Sequence, residues 1–441
     1  VVCLESDLQD GQMMEVEVGH HSVLLTRSRG KYSALGNQCT HYGAPLSKGV
    51  ISGHRVRCPW HGSCFNAHTG DLEEYPGMDC LPCHKVSIQN SKVYVSTLRQ
   101  AKRIKSMGTA VPGVTHTVVL LGGGAASLSC AETLRQENFG GRIIMVTKDH
   151  LLPYDKTRLS KVMNVESDSI ILRRMEFFHQ FDIEVWLRKE ALWVDTGRKT
   201  VTFDDGSVQS YDQLLVSTGC RAKGLDVPGR KLDNVMMLET PEDQNVRFYM
   251  NDNVVEVKGE NGKVKEVVLK SGKVIPAEVL IVGIGEYYLF LVISHVYIQQ
   301  LYMRTNVPDV FCGGDLASFP LAMANDRLVN IGHWQMAQAH GRIAALNMLN
   351  KPTELNSIPF YWTVLQGKTI RYAGYGEGYT EIVMKGKFED RKFLALYIKN
   401  DEVIAAASLN YDPAASAVAE RFAAGQVITK KEAQYIKTFF G

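Results

Sequence analysis

Two short stretches of the chain each carry one cysteine and one histidine. The first is Cys39-Thr40-His41, and the second, sixteen residues further on, is Cys58-Pro59-Trp60-His61. Thiolate and imidazole are the side chains that soft and borderline metal ions prefer. Two Cys and two His can hold one tetrahedral zinc ion, which is the first interpretation. The second is a two-iron cluster, because mixed Cys and His pairs suit irons with unequal ligands.

The arrangement within each stretch favours the two-iron cluster. Structural zinc sites usually pair Cys with Cys and His with His, whereas each stretch here supplies one of each. The runs C-T-H-Y-G-A-P-L and C-P-W-H-G-S also resemble the two cluster-binding loops of the Rieske family. That resemblance implies a [2Fe–2S] centre in which one iron has two Cys ligands and the other two His ligands. The expected ligands are Cys39, His41, Cys58 and His61.

Length and composition bound the fold and the partners. A chain of 441 residues is too long for one core and predicts two to four domains. The net charge of +2 gives no reason to expect a nucleic-acid partner. Nine cysteines is an odd number, and two are expected cluster ligands, so a reducing compartment is favoured over a disulfide framework. The most apolar window, Val279 to Ile298, contains glycine, glutamate and histidine, and we expect no transmembrane segment.

The elements that must position these residues begin with short strands. Residues 1–100 alternate strand-forming runs with Gly, Asn and Ser turns, which predicts an antiparallel β domain carrying both loops. Residues 101–114 lack periodicity and contain Gly and Pro, which is typical of a linker.

A different pattern begins at Thr117. An apolar strand, the turn Gly122-Gly123-Gly124, a helix from Leu128 to Glu137 and a second strand ending before Asp149 form a dinucleotide-binding fingerprint. Gly124 lets a pyrophosphate approach the N-terminus of the helix. Ser127 occupies the third glycine position, and Lys148 stands where a ribose-binding acid is expected, so either Asp149 supplies that contact or the contact is lost. We therefore expect weaker flavin binding than a full fingerprint gives.

Further motifs resemble flavin-dependent ferredoxin reductases and apoptosis-inducing factor. They are L-P-Y-D-K-T-R-L-S-K ending at Lys161, L-L-V-S-T-G ending at Gly219, C-G-G-D ending at Asp315, and the helix start G-H-W-Q-M. A helix N-cap is the simpler interpretation of Asp315, which can serve both roles. The resemblance implies that the following residues bind FAD: Gly122, Gly124, Ser127, Asp149, Lys161, Thr218, Gly219, Asp315, His333 and Trp334.

The resemblance extends over nearly the whole chain, to Rieske-containing oxidoreductases of the apoptosis-inducing-factor type. It implies an α+β multidomain fold: a Rieske β-sandwich, a split Rossmann-type FAD domain, a truncated NAD(P)-type domain and a C-terminal α+β domain. The expected boundaries are 1–100 for the Rieske domain, 101–114 for the linker, 115–245 and 301–350 for the FAD domain, 246–300 for the truncated domain and 351–441 for the C-terminal domain.

The middle domain is the main departure from this family. Only about sixty residues separate Pro241 from Leu301, roughly half of a nucleotide-binding unit. No second glycine loop is present, and Gly283-Ile284-Gly285 precedes no phosphate-binding helix pattern. A splice form, an incomplete gene model and a degenerate copy are all compatible with this gap.

The resemblance implies an oxidoreductase that passes electrons from NAD(P)H through FAD to the Rieske cluster and on to an unidentified acceptor. Hydride transfer requires no protein acid or base, so no catalytic residue is predicted. The alternative function is an impaired, cofactor-stabilised interaction protein in apoptosis signalling. The expected location is the mitochondrion or the cytoplasm. Because the sequence begins with Val1, the presence of a targeting leader is left open. A homo-oligomer is also left open.

Overall fold

A computed structural model describes residues 1–97, 103–158, 161, 166–222, 226–237, 252–282, 286–288, 301–365 and 367–435. Within these ranges, no helix is both long and apolar enough to cross a membrane. Most of the apolar window from Val279 to Ile298 lies outside the described residues.

The first domain consists of two antiparallel sheets. The six-stranded sheet contains, in spatial order, Cys3–Leu4, Lys92–Ser96, Cys83–Gln89, Lys31–Gly36, His21–Ser28 and Gln12–Val18. The four-stranded sheet contains Val50–Ser52, Arg55–Arg57, Cys64–Asn66 and Leu72–Glu74. One core beneath the loops includes Leu24, Leu35, Val56 and Phe65, together with Cys39 and Cys58. The two cysteines are thus anchored in the core, as a rigid metal site requires.

A parallel sheet begins the second domain, as the apolar run from Thr117 predicted. Its strands are, in spatial order, Ile183–Trp186, Arg142–Val146, Thr117–Leu121, Gln213–Val216 and Val310–Cys312. Val118 and Leu120 pack into one core, and Val119 and Leu121 into another. The sheet is therefore buried on both faces, which explains the continuous apolar run.

Helices cover this sheet and continue into the last domain. In chain order they are α1 (Ala125–Gln136), α2 (Ser167–Ile170), α3 (Met175–Gln180), α4 (Trp334–Met348), α5 (Ala414–Ala423) and α6 (Lys430–Tyr435). Helix α1 begins three residues before the sequence prediction. Helices α1 and α4 cross closely, since a Cβ on Gly341 would lie 2.0 Å from the carbonyl oxygen of Ala126. Only glycine permits this contact.

Smaller sheets surround the parallel one. They contain Ala191–Asp195 with Thr200–Phe203 and Val208–Ser210, Ser318–Leu321 with Arg327–Asn330, and Cys220–Ala222 with Glu286–Tyr288. The described part of the middle domain pairs Val235–Met237 with Leu280–Val282 and joins Val254–Glu260, Lys263–Leu269 and Val274–Pro276. Asn261 and Gly262 have φ of 53° and 80°, as a two-residue hairpin turn between Val254–Glu260 and Lys263–Leu269 requires.

The C-terminal domain is an antiparallel sheet covered by α5 and α6. Its strands are, in spatial order, Phe360–Leu365, Lys368–Gly374, Glu402–Leu409, Lys392–Lys399 and Glu381–Lys387. Leu394, Leu396 and Val418 are among the residues of its core. The α+β composition expected for this part of the chain is confirmed.

Candidate functional site

The two cysteines of the predicted cluster site lie side by side. Cys39 follows the strand Lys31–Gly36, and Cys58 directly follows Arg55–Arg57. Both thiols are buried and hydrogen-bonded to each other. This hydrogen bond lowers the pKa of Cys39, whereas burial raises the pKa of Cys58. Two adjacent thiols of this kind can share one metal ion.

The two histidines form a second pair. The Nδ1 atoms of His41 and His61 are 3.0 Å apart, so both imidazoles direct Nδ1 toward the same point. Burial lowers the pKa of His61 to about 2, and nearby His41 and Arg371 act in the same direction. His61 is therefore a neutral imidazole at physiological pH, which is the form that binds metals.

This arrangement fits two irons better than one zinc ion. Across the described residues, no three His, Cys, Asp or Glu side chains converge on a single metal position. The four predicted ligands instead form one thiol pair and one imidazole pair, which matches the donor set of a Rieske [2Fe–2S] centre. The loop chemistry also agrees, because the Ser63 hydroxyl hydrogen-bonds to Cys39 and the backbone N–H of Trp60 donates to the Cys58 sulfur at 3.5 Å.

The glycine turn of the parallel sheet opens helix α1. Gly122 has φ of +123°, and a Cβ there would lie 2.2 Å from the carbonyl oxygen of Ser217. A Cβ on Gly124, by contrast, would meet no atom within 4 Å. This open space at a helix N-terminus suits a pyrophosphate.

Ser127 is better accommodated than the sequence suggested. Its hydroxyl lies 2.7 Å from the hydroxyl of Ser217, and both side chains are buried. The Ser217 hydroxyl also donates to the carbonyl oxygen of Leu121 at 3.1 Å. The third glycine position is thus occupied by a hydrogen-bonded serine.

The predicted ribose and adenine contacts lie at the ends of the parallel strands. Asp149 is half-buried just beyond Arg142–Val146, whereas Lys148 is exposed and its Nζ lies 4.0 Å from Glu190 Oε1. Thr218 has a buried Oγ1 without a hydrogen-bond partner among the described residues, and Gly219 has φ of 75°. A buried hydroxyl without a partner is costly in the protein alone, so it fits a ligand-binding role.

The predicted flavin contacts from the C-G-G-D and G-H-W motifs lie near α4. Asp315 lies in a turn after Val310–Cys312, whereas α4 begins at Trp334 with His333 as its N-cap residue. The N-cap interpretation of Asp315 was therefore wrong, because the short 3-10 helix Ala322–Ala324 has Leu321 as its N-cap residue and α4 has His333. His333 has a buried Nδ1 with no partner in the described parts of the chain, and burial lowers its pKa to about 4.

Lys161, the last predicted contact, is exposed and donates from Nζ to the Thr363 hydroxyl at 2.9 Å. Thr363 belongs to the first strand of the C-terminal domain. The L-P-Y motif is thereby linked to this strand.

Trp362, the residue before Thr363, was not predicted to belong to the site. Its ring centroid lies 4.9 Å from that of His61, 5.9 Å from that of His41 and 4.6 Å from that of His333. One indole therefore contacts both imidazoles of the cluster site and the N-cap residue of α4. The sequence placed Trp362 only at the start of the C-terminal domain, because no local spacing relates it to the cluster loops.

Tyr42 joins the first cluster loop to the FAD-type domain. Its ring stacks on His41 with centroids 4.0 Å apart and an interplanar angle of 10°. Its hydroxyl donates to the buried carboxylate of Asp155 and lies 3.4 Å from the Thr157 hydroxyl. The cluster loops thus contact the FAD-type domain through Tyr42 and the C-terminal domain through Trp362.

Comparisons with protein families agree with this architecture. Residues 1–85 match the Rieske [2Fe-2S] domain, residues 116–243 and 234–341 match the pyridine nucleotide-disulphide oxidoreductase family, and residues 360–436 match the reductase C-terminal domain. The fold and site therefore define an oxidoreductase that transfers electrons, with a Rieske cluster and FAD as cofactors.

Similar proteins narrow this class. Human apoptosis-inducing factor 3 is 42% identical over 515 aligned positions, covering 98% of this chain and 85% of the relative. Rubredoxin-NAD(+) reductase of Pseudomonas putida is 24% identical, covering 66% of this chain and 95% of the relative. The chain belongs to the apoptosis-inducing factor 3 family of Rieske-containing pyridine nucleotide-disulphide oxidoreductases. The alternative of a purely interaction-based protein is not favoured.

Solved structures support the fold. A ferredoxin reductase for the CYP199A2 system of Rhodopseudomonas palustris has a TM-score of 0.67 at 21% identity, covering 73% of this chain and 98% of that chain. A covalent putidaredoxin reductase–putidaredoxin complex has a TM-score of 0.68 at 20% identity, covering 73% of this chain and 96% of that chain. Identities this low indicate a shared fold only.

Proposed function

We propose that the chain transfers electrons between FAD and the Rieske cluster within one molecule, as part of a path from a reduced nicotinamide to an acceptor. When bound, FAD takes up two electrons and releases them singly, which matches a one-electron cluster. Cys39, His41, Cys58 and His61 hold the cluster in this proposal. The residues that hold FAD are Gly122, Gly124, Ser127, Asp149, Lys161, Thr218, Gly219, Asp315, His333 and Trp334.

The position of Trp362 carries this proposal. Its indole contacts His61 on one side and His333 on the other, with centroid distances of 4.9 and 4.6 Å. Its other neighbours, His41 and Tyr42, belong to the same cluster loop. A continuous row of packed rings thus joins the cluster loops to the N-terminus of α4, without an intervening layer of solvent.

Replacement of Trp362 tests the route. In protein loaded with both cofactors, photoreduced deazaflavin delivers electrons, and the reduction of flavin and cluster is followed by absorbance. Trp362→Ala should slow flavin-to-cluster transfer by about 10-fold or more, because positioned reactions respond strongly to a displacement of about 1 Å. Trp193→Ala, which removes an exposed tryptophan, is the control. An unchanged rate in Trp362→Ala would remove the proposed route.

The nicotinamide step is proposed to be impaired in this chain. The described residues between 226 and 288 form strands and no helix, although 238–251 and 283–285 lie outside the description. A pyrophosphate site requires a glycine turn at a helix N-terminus, and the sequence has no second such turn. The two stretches that match the oxidoreductase family overlap at residues 234–243, and the alignment with apoptosis-inducing factor 3 spans more positions than this chain has residues. Both observations support a loss within the middle domain.

Stopped-flow mixing with excess NADH tests this impairment. The FAD-loaded protein should bleach within seconds on addition of dithionite but not of NADH, since hydride transfer needs the nicotinamide held against the flavin. Flavin bleaching by NADH within seconds would contradict the proposed impairment.

We also propose an electron acceptor, a cellular role and a location for the protein. A small electron-transfer protein is the proposed acceptor, supported by the reductase–putidaredoxin complex among the similar structures. A role in apoptosis and a mitochondrial or cytoplasmic location rest on the name and family of apoptosis-inducing factor 3. Subcellular fractionation tests the location, and gel filtration coupled to light scattering tests whether a homo-oligomer forms.

A further inference from the structure

One face of helix α5 contacts the second cluster loop, although their sequences lie more than 350 residues apart. The Ser416 hydroxyl donates to the carbonyl oxygen of Cys58 at 2.9 Å, and Ser416 is buried. Glu420 lies one turn further along the same helix and accepts hydrogen bonds from Arg55 and Arg57. Positions i and i+4 share one face of a helix, so both contacts are made at once.

Arg57 links Glu420 to the other end of the loop by hydrogen bonds. Its Nε donates to Glu420, its Nη1 to the carbonyl oxygen of Gly62 at 2.8 Å, and its Nη2 to Glu74 at 2.8 Å. Gly62 directly follows the ligand His61. Helix α5 therefore holds the loop at both ends: Cys58 through Ser416, and His61 through Glu420 and Arg57.

The burial of these charges indicates a role in positioning. The Arg57 side chain has 0% exposure, and that of Glu420 has 4%. A buried ion pair gains little net stability over apolar residues, yet removal of one partner is costly, and such pairs can specify one arrangement. Here the arrangement specified is the contact between the cluster loop and the C-terminal domain that also carries Trp362.

We propose that Ser416 and Glu420 are positioning residues that hold the second cluster loop, and with it His61, against Trp362. The inference rests on the proposed electron transfer between FAD and cluster, and it assigns to the C-terminal domain the control of that step. The two residues act through Cys58 and Arg57, and neither is among the residues expected to hold FAD.

Glu420→Gln and Ser416→Ala test the proposal in protein loaded with both cofactors. Amide hydrogen exchange of residues 58–62 should rise about 10-fold or more in Glu420→Gln, because Arg57 loses a charged hydrogen-bond partner. Flavin-to-cluster transfer after photoreduction should fall about 10-fold or more, while iron, sulfide and FAD contents stay at wild-type values. Ser416→Ala, a smaller change, should show both effects more weakly.

Glu432→Gln is the matched control. Glu432 lies on α6 and pairs with Arg421 of α5, but both side chains are about 30% exposed. It should behave as wild type. If wild type and control transfer electrons and Glu420→Gln equals them in both exchange and rate, the positioning role is refuted. If neither wild type nor control transfers electrons from flavin to cluster, the proposed function itself fails. If Glu420→Gln does not fold, Ser416→Ala decides alone, and wild-type exchange and rate in that variant would refute the proposal.

Discussion

The hydrogen bond between Tyr42 and Asp155 should hold the first cluster loop on the FAD domain. Oδ1 of Asp155 accepts from the Thr157 N–H at 3.0 Å and from the Thr157 hydroxyl, whereas Oδ2 accepts from Tyr42. Tyr42→Phe removes this last donor and keeps the ring that stacks on His41. Hydrogen bonds to charged groups contribute about 1.5–3 kcal/mol, and Tyr42 is 42% exposed, so the lower end of the range applies. The expected loss is about 1.5 kcal/mol, which corresponds to about a tenfold change in the opening equilibrium.

Amide hydrogen exchange measures this opening directly. Segments 39–45 and 153–158 should exchange about tenfold faster in Tyr42→Phe than in wild type. Tyr32→Phe is the control, because the Tyr32 hydroxyl donates to the Glu5 carbonyl within the β domain at 2.7 Å. A double-mutant cycle with Asp155→Asn should give a coupling of about 1 kcal/mol. Equal exchange in wild type and Tyr42→Phe, or an equal rise in Tyr32→Phe, would refute the reasoning.

Four further outcomes follow from the site. Anaerobically purified protein should contain two irons and two acid-labile sulfides per chain, as a [2Fe–2S] cluster requires, and stoichiometric zinc without sulfide would contradict this. The midpoint reduction potential of the cluster should lie in the lower part of the roughly −150 to +300 mV Rieske range, because Phe65 brings no hydroxyl to the sulfurs, and a redox titration that gives a value above about +200 mV would contradict this. Arg371→Gln removes a buried cation and should lower the potential further. Ser127→Gly should reduce FAD retention through desalting, since it removes the buried hydroxyl pair with Ser217 and adds a flexible residue to α1, and increased retention would indicate that the serine hinders binding. Burial raises the pKa of Glu74, but Arg57 and Arg55 lower it by more, so the net pKa lies below the usual value. The ionised carboxylate therefore stabilises the fold above about pH 4.3, and this stabilisation is lost as the pH falls through the lowered pKa. The difference in urea midpoint between wild type and Glu74→Gln should therefore narrow as the pH falls below about 4.3. A difference that stays constant there would show that the charge of Glu74 does not matter.

The candidate ligands and the glycine turn can be recognised in the sequence because their chemistry is local. C-x-H, C-x-x-H and the strand–turn–helix pattern each lie within a few residues, and the backbone requirements of Gly122 and Gly124 follow from one turn. The pairing of the two histidines and the parallel sheet follow from such local rules.

The contacts between domains could not be predicted in this way. Trp362, Tyr42 and Glu420 each acquire their role from at least one neighbour more than one hundred residues away in sequence, and neither periodicity nor spacing indicates such partners. The error on Asp315 has a related cause. An aspartate after a strand suits a helix N-cap by residue type alone, but here the chain first turns into a hairpin.

The viscosity dependence of flavin-to-cluster electron transfer tests the central claim most directly. The cluster loops contact Trp362, Asp155 and helix α5 in one arrangement, so transfer requires no prior movement of the Rieske domain. After photoreduction, the transfer rate should be first order, independent of protein concentration, and unchanged when glycerol raises the viscosity. A rate that rises in proportion to protein concentration, or falls in proportion to viscosity, would contradict transfer within a docked molecule.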